Sequence, residues 1–447
     1  MNTTPPDLHH NLRLRLEYEP AETIKPNPRD PRTYSVAETR RVAKSLATFG
    51  AMPMIVTSDR VVLSGNIWLE ASNLAGITQL PIVVADHFTP AQAEAFMVAQ
   101  VRLVERGEWN EQMLGEILRD LTLQDLDFDL EITGFDAPEI DLRIEGLNRT
   151  DEGPDPADEP APSGPPVARI GDLWLLGPHR IFCGDALAPE TYQTLMAGEV
   201  ADIVFADPPY NVKISGNVSG LGAVKHAEFL MASGEMSEAE FTAFLVQALG
   251  LAAKHSAEGS LAYWCMDWRH MHELTVAGRA AYGGLQNLCV WAKTNGGMGS
   301  LYRSQHELIF VLKKGAAAHR NNIQLGKFGR NRSNLWSYPG ANTFGRGGEE
   351  GDLLAMHPTV KPVALIADVL LDASIRGELV LDPFLGSGST LIAAEKLGRR
   401  ARSVEIDPLY VDTAIRRWER WTGEDARLDG VGDTFSEIGA QRAGGDQ

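Results

Sequence analysis

The sequence predicts an α/β protein whose larger domain is a mostly parallel sheet with helices on both faces. Short apolar runs alternate with helical patterns between about residues 167 and 425. A glycine loop follows one of these runs and opens a helix, as in sheets whose strand ends bind ligands. A proline-rich acidic stretch separates this part from an N-terminal portion, which we expect to be a smaller α+β domain.

Composition and length set the broad class. The chain has 447 residues, which is enough for two domains, and 44% of them are apolar, as in ordinary globular proteins. It has no run approaching the roughly 18 apolar residues of a membrane span and no apolar secretory core, so we expect a cytoplasmic protein without membrane contact. The three cysteines are far apart, with neither zinc nor disulfide spacing. We therefore expect buried thiols and no metal.

The domain boundaries follow from a single linker. Asn148–Pro166 contains six prolines and five acidic residues, and such a segment cannot bury a core. It divides an N-terminal domain at 10–147 from a C-terminal domain at 167–425. The Gly- and Ala-rich end of the chain, 430–447, is expected to be a flexible tail.

The elements of the C-terminal domain can be predicted one by one. A helix after Ser237 has Glu240 in the capping-box position, and Asp407 is expected to cap the last helix. We expect Leu308–Leu312 to pair as an outer strand. The other predicted strands are Leu173–Leu176, Arg180–Cys183, Ile203–Phe205, Ser260–Trp264, Leu288–Trp291, Glu378–Leu381 and Ala401–Glu405; the helices are Ser237–Ala253, Pro362–Ala373, Ser389–Leu397 and Pro408–Trp421.

A carboxylate, two prolines and an aromatic residue follow one buried strand. Asp207-Pro208-Pro209-Tyr210 comes directly after the apolar run Ala201–Ala206. Asp207 and the Pro208 carbonyl can accept the two N–H groups of a base's exocyclic amine and aim its lone pair at a methyl donor. Tyr210 offers a face to a base that has left the duplex stack. The alternative is a plain strand-to-turn connection, for which Asp-Pro-Pro is also suited.

A second strand leads into a glycine loop. Gly386 and Gly388 let the backbone approach a ligand closely, and Ser389 or Thr390 can cap the helix that follows. Glu405 ends the next strand 17 residues after Gly388, a spacing that suits a ribose diol. The loop lacks full dinucleotide spacing and has Phe384 where it can lie against an adenine or a sulfonium. A methyl donor with a ribose therefore fits better than NAD.

One basic segment stands out in an acidic chain. The formal net charge is −19, yet the segment from Lys293 to Arg332 has eight basic residues and one acid, Glu307. We expect this segment to contact DNA rather than form a merely solvated face. The candidate DNA contacts are Arg303, Lys327, Arg330 and Arg332. Trp336 and Tyr338 can either stack on bases or pack in the core.

These motifs, in this order, resemble the β group of S-adenosylmethionine-dependent DNA amino-methyltransferases. In that family the Asp-Pro-Pro-Tyr motif precedes the Phe-x-Gly-x-Gly loop, and the DNA-recognition region, here about 293–345, lies between them. Cys183-Gly-Asp185-Ala186 and His357-Pro-Thr359-Val-Lys361-Pro362 match two further motifs. The resemblance covers about 170–421 and implies a Rossmann-like domain with a seven-stranded, mostly parallel sheet in permuted order.

The resemblance also implies the functional residues. The catalytic residues would be Asp207, Pro208, Pro209 and Tyr210. S-adenosylmethionine would be the cofactor and S-adenosylhomocysteine the product, with no metal. The implied cofactor contacts are Asp185, Ala186, Thr359, Lys361, Pro362, Asp382, Phe384, Gly386, Gly388, Thr390 and Glu405.

The N-terminal part resembles the ParB/sulfiredoxin-like superfamily. It keeps Gly65, Glu70 and Ala71 of the central box, but Trp68 stands where the family has an arginine. Farther on, Gln100-Val-Arg102 replaces a common Asn-Arg pair. Without those phosphate-contacting residue types, we interpret this domain as a DNA- or partner-docking module.

Two hypotheses from different classes follow. The first is a site-specific methyltransferase acting on adenine N6 in double-stranded DNA; cytosine N4 is the alternative, because both bases present an amine to the same acceptors. Asp in the first motif position is the commoner adenine form. The second is a DNA-binding partition or regulatory protein with an inactive methyltransferase fold. The sequence leaves open a homodimer and a cognate restriction enzyme.

Overall fold

The computed structural model contains two compact units, Met1–Asn148 and Arg149–Gln447. It describes residues 15–105, 109–122, 124, 126, 128–148, 166–212, 234–293, 301–323, 330, 332–338 and 361–444. Two predicted site residues, Thr359 and Lys327, lie outside the described residues, as does the predicted linker between its end residues. None of the helices in these ranges is long and apolar enough to cross a membrane.

The N-terminal unit contains a three-stranded sheet in the order β1-β3-β2. A capping box between Ser35 and Glu38 begins the first helix, because each residue satisfies the other's backbone N–H. The strands are β1 (Leu16–Pro20), β2 (Met54–Val56) and β3 (Gln79–Val84), and the helices are α1 (Val36–Phe49), α2 (Asn66–Leu74), α3 (Pro90–Glu105), α4 (Glu111–Thr122) and α5 (Ala137–Asn148).

Two features of this unit bear on the sequence prediction. Trp68, which replaces the family's arginine, packs against the apolar core beneath the sheet, so its indole serves the fold. The last two helices, α4 and α5, have an apolar core of their own made by Leu114, Leu118, Ile140 and Ile144. They therefore form a packed helix pair.

A ten-stranded mixed sheet organises the C-terminal unit. Its strand order is β10-β8-β9-β7-β6-β11-β12-β5-β4-β13. The strands are β4 (Leu173–Leu176), β5 (His179–Cys183), β6 (Ala201–Ala206), β7 (Ser256–Met266), β8 (Leu285–Lys293), β9 (His306–Lys313), β10 (Leu335–Tyr338), β11 (Leu379–Asp382), β12 (Arg400–Glu405) and β13 (Arg427–Leu428).

The strand count corrects the prediction of seven. The seven central strands, β8 to β5 in the sheet order, are extended by β10 at one end and by β4 and β13 at the other. The predicted outer strand is also misplaced, because β9 lies inside the sheet and is antiparallel to both β7 and β8. Its apolar side chains are buried on both faces, as an interior strand requires.

Helices cover both faces of this sheet, as predicted. One face is packed by α6 (Pro189–Met196), α7 (Glu238–Lys254) and α8 (Met271–Tyr282). The other is packed by α9 (Val363–Ala373), α10 (Ser389–Lys396) and α11 (Pro408–Thr422). The predicted caps at Ser237 and Asp407 are both formed, and the three cysteines are buried free thiols as expected.

The end of the chain differs from the predicted flexible tail. Residues Phe435–Gly444 form a further helix, α12, whose Phe435 and Ile438 are buried in the core. Arg442 forms an ion pair with Asp172, with 2.5 Å between Nη1 and Oδ2. The glycine content suggested disorder, but these two apolar side chains hold the helix on the domain.

The position of the site follows from strand direction. β5, β12, β11, β6 and β7 are consecutive parallel neighbours, so their carboxyl ends lie along one edge of the sheet. β8 runs in the same direction, because it is antiparallel to β9, which is antiparallel to β7. Loops at this carboxyl edge are the usual place for a ligand in such folds.

A buried ion-pair network fastens the basic segment to α9. Arg330 Nε lies 2.8 Å from Asp372 Oδ1, and Arg332 Nε lies 2.9 Å from Asp372 Oδ2. Both guanidiniums also pair with Asp368, at 2.9 Å and 2.5 Å. Tyr338 donates its hydroxyl to the same Asp368 carboxylate. Asp372, with a side chain only 4% exposed, therefore compensates two buried positive charges.

We expect Asp372→Asn to lower the free energy of unfolding by about 3 kcal/mol, because the substitution leaves two buried guanidiniums short of one counterion. Denaturant titration followed by circular dichroism measures this. Asp425→Asn, on the exposed surface, is the matched control and should change stability by less than about 0.5 kcal/mol. Equal effects of the two substitutions would show that the network contributes nothing.

Candidate active site

The Asp-Pro-Pro-Tyr motif lies at the carboxyl end of β6, near the middle of the edge. β6 is buried along nearly its whole length, and Pro208 and Pro209 fix the backbone as it leaves the sheet. Tyr210 turns back and donates its hydroxyl to Asp207 Oδ1 at 2.8 Å. The carboxylate and the ring are thereby held together at the sheet edge.

Three further charged side chains meet this motif. Lys361 Nζ lies 2.6 Å from Asp207 Oδ2, 3.1 Å from Glu307 Oε2 and 3.2 Å from the Tyr210 hydroxyl. Lys293 Nζ lies 2.5 Å from the other oxygen of Glu307, Oε1. We call Asp207, Tyr210, Lys293, Glu307 and Lys361 the edge cluster. The sequence predicts Lys361 as a cofactor contact, but the structure places its ammonium on the carboxylates of this cluster.

Burial sets the electrostatics of the edge cluster. Burial raises the pKa of Asp207, and the adjacent Lys361 ammonium opposes that rise. Glu307 is equally buried, but the two lysines outweigh burial and lower its pKa to about 2. The two carboxylates raise the pKa of Lys361 well above its usual range despite its burial. Two cations thus balance two anions in a site screened from water.

The glycine loop lies beside this cluster, at the end of β11. Val380 and Leu381 of β11 pair with Ile203 and Val204 of β6, so Phe384 lies level with Asp207 along the two strands. Asp382 is buried, which raises the pKa of its carboxyl to about 7. It accepts a hydrogen bond from the Phe384 N–H at 2.9 Å.

The two loop glycines are needed for different reasons. Gly386 has φ of +55° and donates its N–H to Glu405 Oε2 at 2.8 Å. Gly388 has φ of +95°, and a Cβ there would lie 2.9 Å from the Cβ of Ala414 on α11. The loop can therefore approach both a ligand and the helix behind it only because these positions have no side chain.

The remaining predicted cofactor residues continue along the edge from β12 to β5. Glu405 is buried, accepts from the N–H groups of Gly386 and Asp407, and has its pKa raised by burial to about 7.

The other predicted cofactor residues lie on either side of Glu405. Beyond β5, Asp185 Oδ1 accepts from the Leu187 N–H at 2.8 Å, and Ala186 is buried. Thr390, on α10, hydrogen-bonds to Asp382, and Pro362 caps α9. The carboxyl edge from β11 to β5 therefore combines a glycine loop with buried carboxyl groups, which are features of a small-molecule binding site.

The predicted DNA contacts need correction. Arg330 and Arg332 turn inward to Asp368 and Asp372, so their charges serve the fold and not a surface. Arg303, in contrast, is exposed. Trp336 is buried in the core and donates its indole N–H to the Ser333 carbonyl at 2.9 Å, which decides for packing over base stacking. Tyr338 is half-buried in the ion-pair network.

Sequence reasoning missed Glu307 and Lys293 as site residues. Both were counted only as charges of the basic segment, although Glu307 is its single acid. That isolation was the available signal, since a lone carboxylate at the start of an apolar strand needs buried cations. Among the described residues, no group of three or more His, Cys, Asp or Glu side chains is arranged to hold a metal ion.

A second missed feature lies at the end of β7. Asp267 accepts from the backbone N–H groups of Arg269 and His270 and from His270 Nδ1 at 2.9 Å. This turn presents Trp268, which is 49% exposed, with the Arg269 guanidinium 5.1 Å from its ring centroid. Because β7 is the parallel neighbour of β6, the pair stands beside the Asp207 loop.

Comparison with known proteins agrees with this geometry. Residues 201–416 match the family described as DNA methylase, of the N6/N4 type, and residues 112–170 match the ParB-methyltransferase HTH domain. DNA adenine methyltransferase YhdJ of Escherichia coli (strain K12) is 26% identical over 262 residues, which cover 53% of this chain and 81% of the relative. Type II methyltransferase M2.DpnII of Streptococcus pneumoniae is 27% identical over 237 residues, covering 50% of this chain and 84% of the relative.

Among solved structures, TTHA0409 of Thermus thermophilus in complex with S-adenosyl-L-methionine is similar, with 23% identity and a TM-score of 0.40. That similarity covers 57% of this chain and all of the other. The family match defines the class: the C-terminal domain belongs to the N6/N4 DNA methylase family. The protein is therefore a DNA methyltransferase, joined to a helix-turn-helix domain of the ParB-methyltransferase type.

The helix-turn-helix match was not expected from the sequence. It begins in α4, includes α5, and continues through the predicted linker to residue 170. The sequence predicts a single N-terminal domain at 10–147, without this division. The separate apolar core between α4 and α5 explains why this part forms a motif of its own.

We expect Gly388→Ala to destabilise the protein by about 3 kcal/mol, the sum of left-handed backbone strain and a close contact with Ala414. Gly423→Ala is the matched control, because Gly423 has φ of +76° but open space around its Cβ direction. The control should cost only about 1 kcal/mol. Differential scanning calorimetry of both variants measures the difference in stability. Equal destabilisation by the two substitutions would show that the close approach to Ala414 does not require glycine at 388.

Proposed function

We propose that this methyltransferase transfers the methyl group of S-adenosylmethionine to N6 of an adenine in double-stranded DNA. The observation that carries the proposal is the pairing of β6 with β11. It brings a hydrogen-bond-accepting carboxylate, Asp207, level with the loop Phe384–Gly388. A methyl donor in the loop and an amine at Asp207 would then be neighbours at one sheet edge.

The residues along the edge suit the parts of the donor in order. Asp185, which follows β5, would contact the adenine end of the donor, and Glu405, which ends β12, would accept from its ribose hydroxyls. Two buried carboxyls with raised pKa, Glu405 and Asp382, fit a ligand that brings hydroxyl groups and a positive charge. Phe384 and the loop glycines complete this side. S-adenosylmethionine supplies an electrophilic methyl group on a positively charged sulfur.

The target side is built to hold an exocyclic amine. Asp207 and the Pro208 carbonyl would accept its two N–H groups, which directs the nitrogen lone pair at the methyl carbon. Tyr210 would contact one face of the flipped base. The nitrogen forms the new bond to carbon, the sulfur–carbon bond breaks with its electron pair left on sulfur, and one N–H proton passes to Asp207. Burial, which raises the pKa of Asp207, helps that carboxylate take the proton.

Adenine is preferred over cytosine on two grounds. Asp in the first motif position is the commoner adenine form within the resembling family. The relative YhdJ is named a DNA adenine methyltransferase. Cytosine N4 remains the alternative, because its amine would meet the same two acceptors, and the product of the reaction decides between them.

We expect Asp207→Asn to lower the methylation rate by about a thousandfold, because the amide accepts an N–H bond poorly and cannot take the proton. The wild-type enzyme, incubated with unmethylated genomic DNA, should produce N6-methyladenine, measured by mass spectrometry of the nucleosides. Asp202→Asn, at the opposite end of β6, is the matched control; its amide oxygen can still accept from the Leu379 N–H.

Calorimetric titration should show that Asp207→Asn still binds S-adenosylmethionine. A wild-type rate in Asp207→Asn would exclude the assigned chemistry. N4-methylcytosine as the sole product would instead select the cytosine alternative.

We further propose that DNA reaches the carboxyl edge across Trp268 and Arg269. Asp267 pairs with the Arg269 guanidinium at 3.2 Å, and that guanidinium lies 5.1 Å from the Trp268 ring centroid. Both side chains are exposed beside the loop that would receive the base. An exposed indole can support a displaced base stack, and the guanidinium can contact phosphate. With Arg330 and Arg332 inside the fold, this pair and Arg303 are the better DNA contacts.

We expect Arg269→Ala to weaken DNA binding and to reduce the slope of log affinity against log salt by about 0.9, the value for one phosphate contact. Fluorescence anisotropy at several salt concentrations measures the slope. Arg279→Ala, an exposed arginine in the last turn of α8, is the control and should leave the slope unchanged. If Arg269→Ala keeps the wild-type slope, DNA passes over a different surface.

A further inference from the structure

Lys361 occupies a position that the reaction requires to be vacated. Its ammonium is bound to Asp207 Oδ2 at 2.6 Å, and its side chain is only 4% exposed. Asp207 is the group that would receive the target amine. A permanent lysine there would compete with the base for the same carboxylate.

The ammonium lies where a target amino group would lie. It donates to Asp207 and sits 5.4 Å from the centroid of the Tyr210 ring and 5.9 Å from that of Trp291. A flipped base would likewise present an N–H donor to the carboxylate and its ring to an aromatic face. The lysine ammonium and the target amine are therefore alike in two respects: each is a nitrogen that donates to Asp207, and each lies close to aromatic rings.

Glu307 is already in place to receive the lysine. Its Oε2 lies 3.1 Å from Lys361 Nζ and 3.1 Å from the Tyr210 hydroxyl oxygen, while its Oε1 is bound by Lys293. If Lys361 leaves Asp207, it keeps this second carboxylate. The ammonium therefore stays paired inside the buried cluster, while the amine that replaces it on Asp207 supplies a hydrogen bond but no charge.

We propose that Lys361 holds the donor position at Asp207 until the target base arrives, and that it then passes wholly to Glu307 while the base's amine takes its place. Lys361 and Glu307 are positioning residues in this exchange, since they act through Asp207. The inference rests on the proposed function and adds to it the order in which the carboxylate changes its donor.

The exchange lets Asp207 be ionised before the base binds and accept a proton afterwards, which a single fixed environment would not allow. Before the base binds, the ammonium stabilises the ionised carboxylate in a buried site. After the lysine has moved, burial acts with less opposition, so the pKa of Asp207 rises and the carboxylate becomes a better acceptor for the N–H proton. The groups that act on Asp207 are Tyr210 on its own loop, Cys265 on β7, Glu307 on β9, Asp382 on β11, and Lys361 before α9; Lys293 on β8 is paired with Glu307.

Removing either partner should shift the pH profile in opposite directions. In Lys361→Met the acid limb of the kcat/KM profile should move up by about one pH unit or more, because the carboxylate loses the ammonium that keeps it ionised. In Glu307→Gln the limb should move down, because removing a neighbouring negative charge lowers the pKa of Asp207. Lys361→Arg keeps the positive charge and should leave the limb near the wild-type position.

Binding tests the exchange itself. The probes are two duplexes containing the methylation site found for the wild-type enzyme, one with adenine and one with purine, which lacks the amine, at the target; S-adenosylhomocysteine is present throughout. Glu307→Gln should weaken the adenine duplex by about tenfold, the value of one charge-assisted hydrogen bond, because the displaced lysine has lost its receiver. The purine duplex, which leaves Lys361 on Asp207, should bind as it does to the wild type.

Controls separate folding and function from the exchange. Lys313→Met, at the far end of β9 where Nζ donates to the Ala317 carbonyl, shows the effect of losing a lysine outside the site. Equal weakening of both duplexes by Glu307→Gln, or an unshifted acid limb in folded Lys361→Met, would overturn the exchange. The base assignment is read separately, from the wild-type product; if that product is N4-methylcytosine, cytosine and 2-pyrimidinone duplexes replace the adenine and purine pair.

Discussion

The arrangement of the active edge depends on one electrostatic constraint: two carboxylates are buried together and must be matched by two lysines. Asp207 and Glu307 come from β6 and β9, which flank β7, and Lys293 and Lys361 come from β8 and the segment before α9. A buried carboxylate without a counterion would protonate and lose its use as an acceptor. The cluster therefore requires four separate parts of the domain to be folded before Asp207 has the correct charge.

Strand order separates the two halves of the edge. On one side of β6, the strands β11, β12 and β5 carry the glycine loop and the buried carboxyl Glu405. On the other side, β7, β9 and β8 carry Glu307 with its lysine Lys293, and the exposed turn at Trp268. β6 lies between the two groups, so Asp207 faces both. The permuted order of motifs along the chain has no effect on this edge, because parallel neighbours share it regardless of when each strand was synthesised.

Local chemistry made much of the fold predictable. The capping box at Ser237, the N-cap at Asp407 and the glycine loop each follow from residues within a few positions of one another. The errors concern long-range pairing: the interior place of β9, the edge strand β10 and the helix at Phe435–Gly444 depend on partners distant in sequence. In the candidate site, motif spacing predicted the positions of Asp207 and Glu405 at the strand ends. Glu307 stands out in the sequence only as the single acid of the basic segment, and its two lysine partners appear only in the structure.

The basic segment shows why charge composition alone misassigns function. Its arginines at 330 and 332 look like a DNA surface when only neighbouring residues are counted, because their acids, Asp368 and Asp372, lie on a helix about 40 residues later. A guanidinium held by two buried carboxylates is already neutralised, and exchanging those partners for phosphate would leave the acids unpaired in the core. Net charge thus predicts DNA contact poorly for residues whose counterions are buried in the fold. The exposed turn at Arg269 is the stronger candidate, because its guanidinium pairs with Asp267 at 3.2 Å but is 53% exposed. An ion pair at the surface contributes little to stability, so a phosphate can compete for that guanidinium.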